Sequence, residues 1–265
     1  MTGKLTNFTR KALLDHTWGA VSWSIMPNLF VTVSVQSSSG YNVGSEAAFQ
    51  ARTALPNSLA SWPAAANGTK ALGVEILLET ATSNLGTAHD IVFYDTPNPG
   101  TGNAIAYASL PTTRVIQSGD ALLIPAGTIE FTFTASELFS TYLKNAWLDH
   151  VFGGITFVPP TNWNVGYTTD TPTDSVAGTE PSGGSYARAS VPNNTVYFPQ
   201  IALGAVKTNA QQIEWNEASA SQGTATHLVW YAGSNYAAKH PISAALIDTF
   251  TKPILPTNSL AFNVV

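Results

Sequence analysis

The residue types best suited to chemistry are an adjacent acid and imidazole that occur twice, Asp15-His16 and Asp149-His150. An Asp that orients a His is the arrangement of a general base. Neighbours on a helix point about 100° apart, however, and cannot face one another. The negative end of a helix dipole accounts for a His in a last turn. The expectation is a structural His at each helix end and an Asp on the surface. His89 and His227 each follow a Gly-Thr-Ala segment but lack a second ligand at metal-binding spacing, so they read as strand-start imidazoles bonded to backbone. Asp170, Asp174 and Glu180 share one Gly/Pro/Thr-rich loop. Such oxygen ligands can hold calcium, but the EF-hand spacing is missing and a solvated loop is expected. Glu75 with Glu79, and Glu214 with Glu217, are the candidate carboxylate pairs of a glycosidase. Glu75 and Glu79 fall on one face of one strand by parity, where they cannot oppose each other across a sugar. No Gly-x-Ser-x-Gly elbow, Gly-x-Gly-x-x-Gly turn or phosphate loop occurs. The expectation is a chain with no catalytic residue, no cofactor and no metal site.

The elements that must position these residues are themselves duplicated. Ala12-Leu13-Leu14-Asp15-His16, Gly19, Asn28 and Val31 recur as Ala146-Trp147-Leu148-Asp149-His150, Gly153, Asn162 and Val165, all offset by 134 positions. Beyond them the offset drifts by a few residues, as insertions in exposed loops would cause. Ala51-Arg52 answers Ala187-Arg188, Ile91-Val92-Phe93-Tyr94 answers Leu228-Val229-Trp230-Tyr231, and Pro125, Ile129 and Phe131 answer Pro256, Leu260 and Phe262. A period this long means a duplicated domain, not a solenoid. Residues 1–135 and 136–265 are expected to be the two copies, with the boundary at Thr134 to Glu137.

Each copy opens on a helix signal. Thr6 can cap, Phe8, Ala12, Leu14 and Trp18 recur on one side, and Gly19 sits where a left-handed terminal residue is wanted. Ser140 to Gly153-Gly154 repeats this pattern. The periodicity then switches to two: Leu29, Val31, Val33 and Val35 face one way in a half-buried strand matched by Asn164–Tyr167. Strand-like runs follow at Gly73–Thr80, Asp90–Asp95, Ala104–Ser109, Ala121–Ile124 and Thr128–Thr134. The second copy offers Gln211–Asn216, His227–Tyr231, Ile242–Leu246 and Asn258–Val264, without a counterpart to the Ser118-Gly119-Asp120 turn. Many short strands divided by turns point to a mainly β chain of two tandem antiparallel β-sandwich, jelly-roll-like domains, each with a short N-terminal α-helix. Trp18, Trp23, Trp147 and Trp163 belong to the repeated framework. With Trp62, Trp215 and Trp230 they are expected in the core.

Charged residues make up 10% of the chain and apolar ones 44%, against about 25% charged in an average soluble domain. A neutral, polar surface suits a protein packed against other molecules, and a β-rich composition also favours Thr, Val and aromatics. Net charge is −5 and no run of Lys or Arg occurs, which argues against nucleic acid as a partner. The absence of cysteine excludes disulfides and thiolate metal sites. The start Met1-Thr2-Gly3-Lys4-Leu5-Thr6-Asn7 lacks the apolar run of a secretory signal. No stretch approaches the roughly 18 apolar residues of a membrane span.

These residues carry a resemblance. The opening Leu-x-Asn-Phe at Leu5, the Ala-Leu-Leu-Asp-His run and the Gly, aromatic and Pro-x-x-hydrophobic-x-Val positions after it are similar to a family of small tailed-bacteriophage proteins labelled tail fibre proteins. So are Gly183-Gly184-Ser185-Tyr186-Ala187-Arg188 and Gly223-Thr224-Ala225-Thr226-His227-Leu228. Family members resemble one such unit and this chain two fused. The first copy departs at Ser45–Arg52, which has lost the paired glycines and the Tyr. The resemblance implies a non-enzymatic structural protein of a virion, synthesised in the host cytoplasm, whose partners are other virion proteins and further copies of itself. Without heptads or β-helical repeats for a long shaft, a capsid decoration protein is the first reading. A tail fibre or glycan-binding host-recognition protein is the second. Contacts are expected at sheet edges and at the long loops Gln36–Pro56 and Thr168–Pro192.

Overall fold

A computed structural model describes residues 1–133, 138–201 and 206–264. The first copy runs β1 (Thr2–Leu5), α1 (Asn7–Thr17), β2 (Asn28–Ser34), β3 (Thr53–Pro56), β4 (Thr69–Ala71), β5 (Ile76–Leu77), β6 (Gly86–Tyr94), β7 (Ala104–Ile116), β8 (Leu123–Ile124) and β9 (Glu130–Thr132). The second runs α2 (Thr141–Phe152), β10 (Asn162–Thr168), β11 (Ala189–Pro192), β12 (Ile213–Glu214), β13 (Gly223–Ala232), β14 (Asn235–Ile247) and β15 (Ile254–Leu255). The chain is mainly β with one short helix per copy, as the periodicities require. The divide expected at Thr134 to Glu137 lies outside the described residues.

Both helices start where their caps dictate. Thr6 Oγ1 accepts from the Thr9 amide at 3.3 Å, and Ser140 Oγ accepts from the Leu143 amide at 3.3 Å. The same hydroxyls donate to strand carbonyls, Thr6 to Ala104 at 2.6 Å and Ser140 to Tyr236 at 2.7 Å. One side chain thus satisfies a helix end and fixes the helix to a sheet. Each helix closes with a six-residue loop-back bond, Val21 N to Asp15 O and Ile155 N to Asp149 O. Positive φ inside it falls on Gly19 (φ 128°), as expected, and on Ala20 (φ 50°) in one copy, and on Gly154 (φ 65°) in the other.

The larger sheet of the first copy has the order β3-β2-β6-β7-β1-β9-β4, and β5 and β8 form a second, two-stranded sheet. All its pairings are antiparallel except β1 with β9. The second copy shows the order β11-β10-β13-β14 with a separate β12-β15 pair. Strand β2 is buried on both faces toward its end, since Thr32 and Ser34 are as inaccessible as Val31 and Val33. The expected run Gly73–Thr80 reduces to β5, and Asn258–Val264 to a single bridge of Phe262 with Lys207. Copy two also has the turn denied to it. Asp248–Thr251 matches Gln117–Asp120, with Phe250 N on Ala218 O and Gly119 N on Ala81 O, both at 2.7 Å.

The chain condenses into two units that do not coincide with the sequence copies. Unit 1 gathers Met1–Ala12, Ser24–Phe133 and Asn145–Phe157. Unit 2 gathers Leu13–Trp23, the described part of 134–144, and the described residues from Val158 on. The second half of each helix, with the segment after it, therefore belongs to the unit built mostly from the other copy.

The cores match ring for ring. In unit 1, Phe152 stacks on Phe131 at 4.2 Å and 17°, with Trp62 and Phe93 against them. In unit 2, Trp18 stacks on Phe262 at 4.2 Å and 17°, with Trp163 and Trp230 alongside. Six of the seven Trp residues are buried as expected, but Trp23 is only partly covered. Buried aromatics of this kind dominate core energetics.

Candidate functional site

The repeated Asp-His motif builds a buried ion pair in each unit. In unit 2, Asp15 Oδ1 accepts from Lys207 Nζ at 2.7 Å and from the Ile201 amide at 3.2 Å. Lys207 also donates to Pro199 O at 2.7 Å. In unit 1, Asp149 Oδ1 accepts from Lys70 Nζ at 2.6 Å and the Ala65 amide at 2.8 Å, and Lys70 donates to Pro63 O at 2.9 Å. Asp15 was expected at the surface, yet it is 2% exposed. A charge this deep persists only when paired and hydrogen-bonded, and its lysine supplies both. Burial lowers the Lys70 pKa, opposed by the bond and charge of Asp149.

Gly19 and Gly153 of the motif are explained by the same geometry. A Cβ on Gly19 would lie 3.2 Å from Lys207 Nζ and 2.8 Å from Phe198 O, and one on Gly153 would lie 2.9 Å from Lys70 Nζ. An asparagine completes each corner. Asn193 Nδ2 donates to Thr17 O and Pro160 O while its Oδ1 accepts from Gly19 N, and Asn57 Nδ2 donates to Met26 O and Val151 O. The imidazoles close the helix ends: His16 Nδ1 meets Val21 O at 2.9 Å, and His150 Nδ1 accepts from Phe157 N at 3.2 Å. The motif is a corner that locks a helix end into a β-layer.

A second repeated arrangement holds the long loops. Arg52 grips Glu46 through Nε and Nη2 at 2.7 and 2.8 Å, donates to Thr96 O and Thr101 O, and lies 3.5 Å over the Tyr94 ring. Arg188 grips Glu180 and lies 3.5 Å over Tyr231. Glu180 accepts further from Tyr186 at 2.5 Å and Tyr231 at 2.6 Å. Burial pushes the Glu180 pKa up, but the donors Arg188, Tyr186 and Tyr231 outweigh it and leave the carboxyl below its ordinary value. Burial likewise raises Tyr186 and Tyr231, and pushes Tyr167, which donates to Gln222, up to about 12. Such bidentate pairs fix geometry as well as charge. The long loops expected to make contacts are tied to the sheet at these points.

The remaining candidates stay apart. Asp170 binds Thr179, Asp174 pairs with Lys144 at 2.6 Å, and Glu180 belongs to the Arg188 clamp. His89 meets Ser37 and His227 meets Thr226. Glu75, Glu79 and Glu217 are exposed, and Glu214 pairs with Lys252. Among the described residues no three His, Asp or Glu side chains form a metal-holding group. Sequence reasoning missed Lys70 and Lys207. Their signal was faint: two cations in a charge-poor chain, each in a region where the copies align only with drift. Among the described residues at least seven of the eleven Lys and Arg side chains form an ion pair inside one unit. Among the described residues no helix is long and apolar enough to cross a membrane.

A family model described as podophage GP4 fiber I protein gp80 matches the chain twice, over residues 4–132 and 138–264. The two matches take the two sequence copies in turn. No curated protein matches the chain.

Proposed function

The chain belongs to the podophage GP4 fiber I protein gp80 family, as two units in tandem, and on that premise we propose that it is a non-enzymatic structural piece of a phage virion, a globular component of a fibre and not its shaft. The observation that carries this reading is where the repeated chemistry of the two copies goes. The repeated Asp, Lys, Arg, Glu and Asn side chains hold helix ends and loops in place inside each unit. The two helices are 11 and 12 residues long, too short for the sustained heptads of a coiled-coil shaft. With most cations paired internally, attachment to other virion proteins rests on apolar and neutral hydrogen-bonding contacts, which salt screens little.

Decoration of the capsid shell is the second reading, favoured by the same internal pairing of charge, which suits a piece seated flat on a protein lattice. Homo-oligomerisation is part of both. Fractionating purified particles into capsids and tails, and measuring this chain against the major capsid protein, separates them. A handful of copies in the tail fraction is expected for the fibre; hundreds on capsids would move the chain to the shell. Attachment should survive a high-salt wash and fail in mild denaturant. Release by salt alone would overturn the neutral interface.

A further inference from the structure

The turn Asp248–Thr251 carries a feature that its counterpart lacks. Phe250 holds φ at 67° and is 80% exposed, where Gly119 holds φ at 92° in the matching turn. A bulky residue in the left-handed region is a genuine outlier, and exposing its ring to water gains nothing in the isolated chain. Leu246 in β14 and Ile254 in β15, on either side of the turn in sequence, add exposed apolar surface at 63% and 50% exposure. Unit 1 carries the opposite shape. A cavity of about 450 Å³ is lined by Leu110, Pro111, Leu122, Leu123, Ile124 and Arg114, among others. That volume lies in the range that accepts a small ligand or one large side chain.

The charges agree with the shapes. Asp248 sits two residues before the tip, and among the described residues it has no cationic partner. Arg114 at the cavity has no carboxylate partner among the described residues. In a chain where most cations are paired within their own unit, this leaves an acid without a cation beside the knob, and beside the hole Arg114 and the Met1 ammonium, which bonds the Thr128 carbonyl.

We propose that Phe250 of one chain seats in the Leu110–Leu123–Ile124 cavity of a second copy, with Asp248 facing that copy's Arg114. This rests on the reading of the chain as an assembling structural piece and names its partner as itself. The contact joins unlike surfaces, so it is heterologous and repeats head to tail, producing a ring or a filament. A central aromatic anchor in a desolvated pocket is the usual form of an interface hot spot.

The test is sedimentation velocity on the full chain with Phe250→Asn, Leu123→Glu and the two variants mixed. Asparagine tolerates a positive φ, and Leu123 is 48% exposed, so both variants keep the fold. The wild type should self-associate with rising concentration, and each variant alone should weaken that association at least tenfold. The mixture, with an intact cavity on one partner and an intact tip on the other, should stop at one-to-one heterodimers. A wild type that stays monomeric, variants that assemble like the wild type, or a mixture without heterodimers would each overturn the proposal. Particle binding is scored separately. A monomeric chain still found on purified virions removes this contact and leaves the virion role, whereas a self-associating chain absent from virions does the reverse.

Discussion

Unit 2 buries its Lys207–Asp15 pair to 0% and 3% side-chain exposure, while unit 1 leaves Asp149 at 18% beside a fully buried Lys70. The bonds are otherwise the same, a lysine bridging an aspartate and a proline carbonyl beneath a helix end. Equivalent positions differ elsewhere in kind. Asp90, opposite Ser34, stands where His227 stands opposite Thr168, and Gly119 stands where Phe250 does. Duplication preserved the corners that make each unit and let the peripheral positions diverge. An identical motif therefore has different energetic weight in each unit, because burial sets what an unpaired charge costs.

The sharpest way to break the equivalence is to remove one lysine at a time. Lys207→Met leaves Asp15 buried without its cation and should destabilise unit 2 by about 3–5 kcal/mol. Lys70→Met leaves Asp149 partly solvated and should cost less, about 1–3 kcal/mol. Denaturant unfolding measures the difference, and equal losses would show that exposure does not set the cost. Hydrogen exchange adds a second reading. In Lys207→Met, residues 13–23 should loosen together with the strands β10 and β13, not with the strands β2 and β6 that follow them in sequence.

The turn comparison predicts a smaller effect of opposite sign. Phe250→Asn relieves a left-handed conformation that costs an ordinary residue about 1–2 kcal/mol and should stabilise the chain by about 1 kcal/mol. Gly119→Phe should lose a similar amount, since nothing lies within 4 Å of a Cβ there and only the φ of 92° opposes it. Thermal melts of the two variants should shift in opposite directions.

The smallest effect is one of pH. Asp90 is pushed up by burial, but the bonds from Ser109, Ser38 and Ser34 prevail and hold it below its ordinary value. The folded carboxyl has the lower pKa, so its stabilisation is complete above about pH 3.8 and is lost as pH falls through the folded value. His227 is also lowered, by burial and then by Lys239, against the pull of Asp170. Burial lowers His240 in the same sheet. For a lowered imidazole the unfolded chain binds the proton first, so stability is full above about pH 6.5 and falls as pH drops below it. Strands β13 and β14 should therefore lose exchange protection at a higher pH than β6 and β7. Simultaneous loss would mean that these residues do not govern acid unfolding.

Much of this architecture was legible in order along the chain. The 134-residue offset gave the duplication, Thr6 and Ser140 marked the helix starts, and the alternation after them gave the first strand of each copy. These signals are local: a cap acts within three residues, and a pleat repeats every two. Strands β1, β3, β4 and β11 escaped because three or four residues carry too little periodicity to stand out. The Asp248–Thr251 turn escaped because Phe at a positive φ contradicts turn chemistry. The corners were invisible for a different reason. Asp15 and Lys207 are separated by 192 residues, and Lys70 and Asp149 by 79. No spacing rule links such residues, and Asp-His on a helix reads as a surface pair until a lysine from a distant segment covers it. The sequence by itself determined two β-rich copies with a helix at each head. Only the tertiary structure decided that the second half of each helix belongs to the unit built mostly from the other copy, where its aspartate meets a lysine far away in sequence that pairs with it as it leaves water.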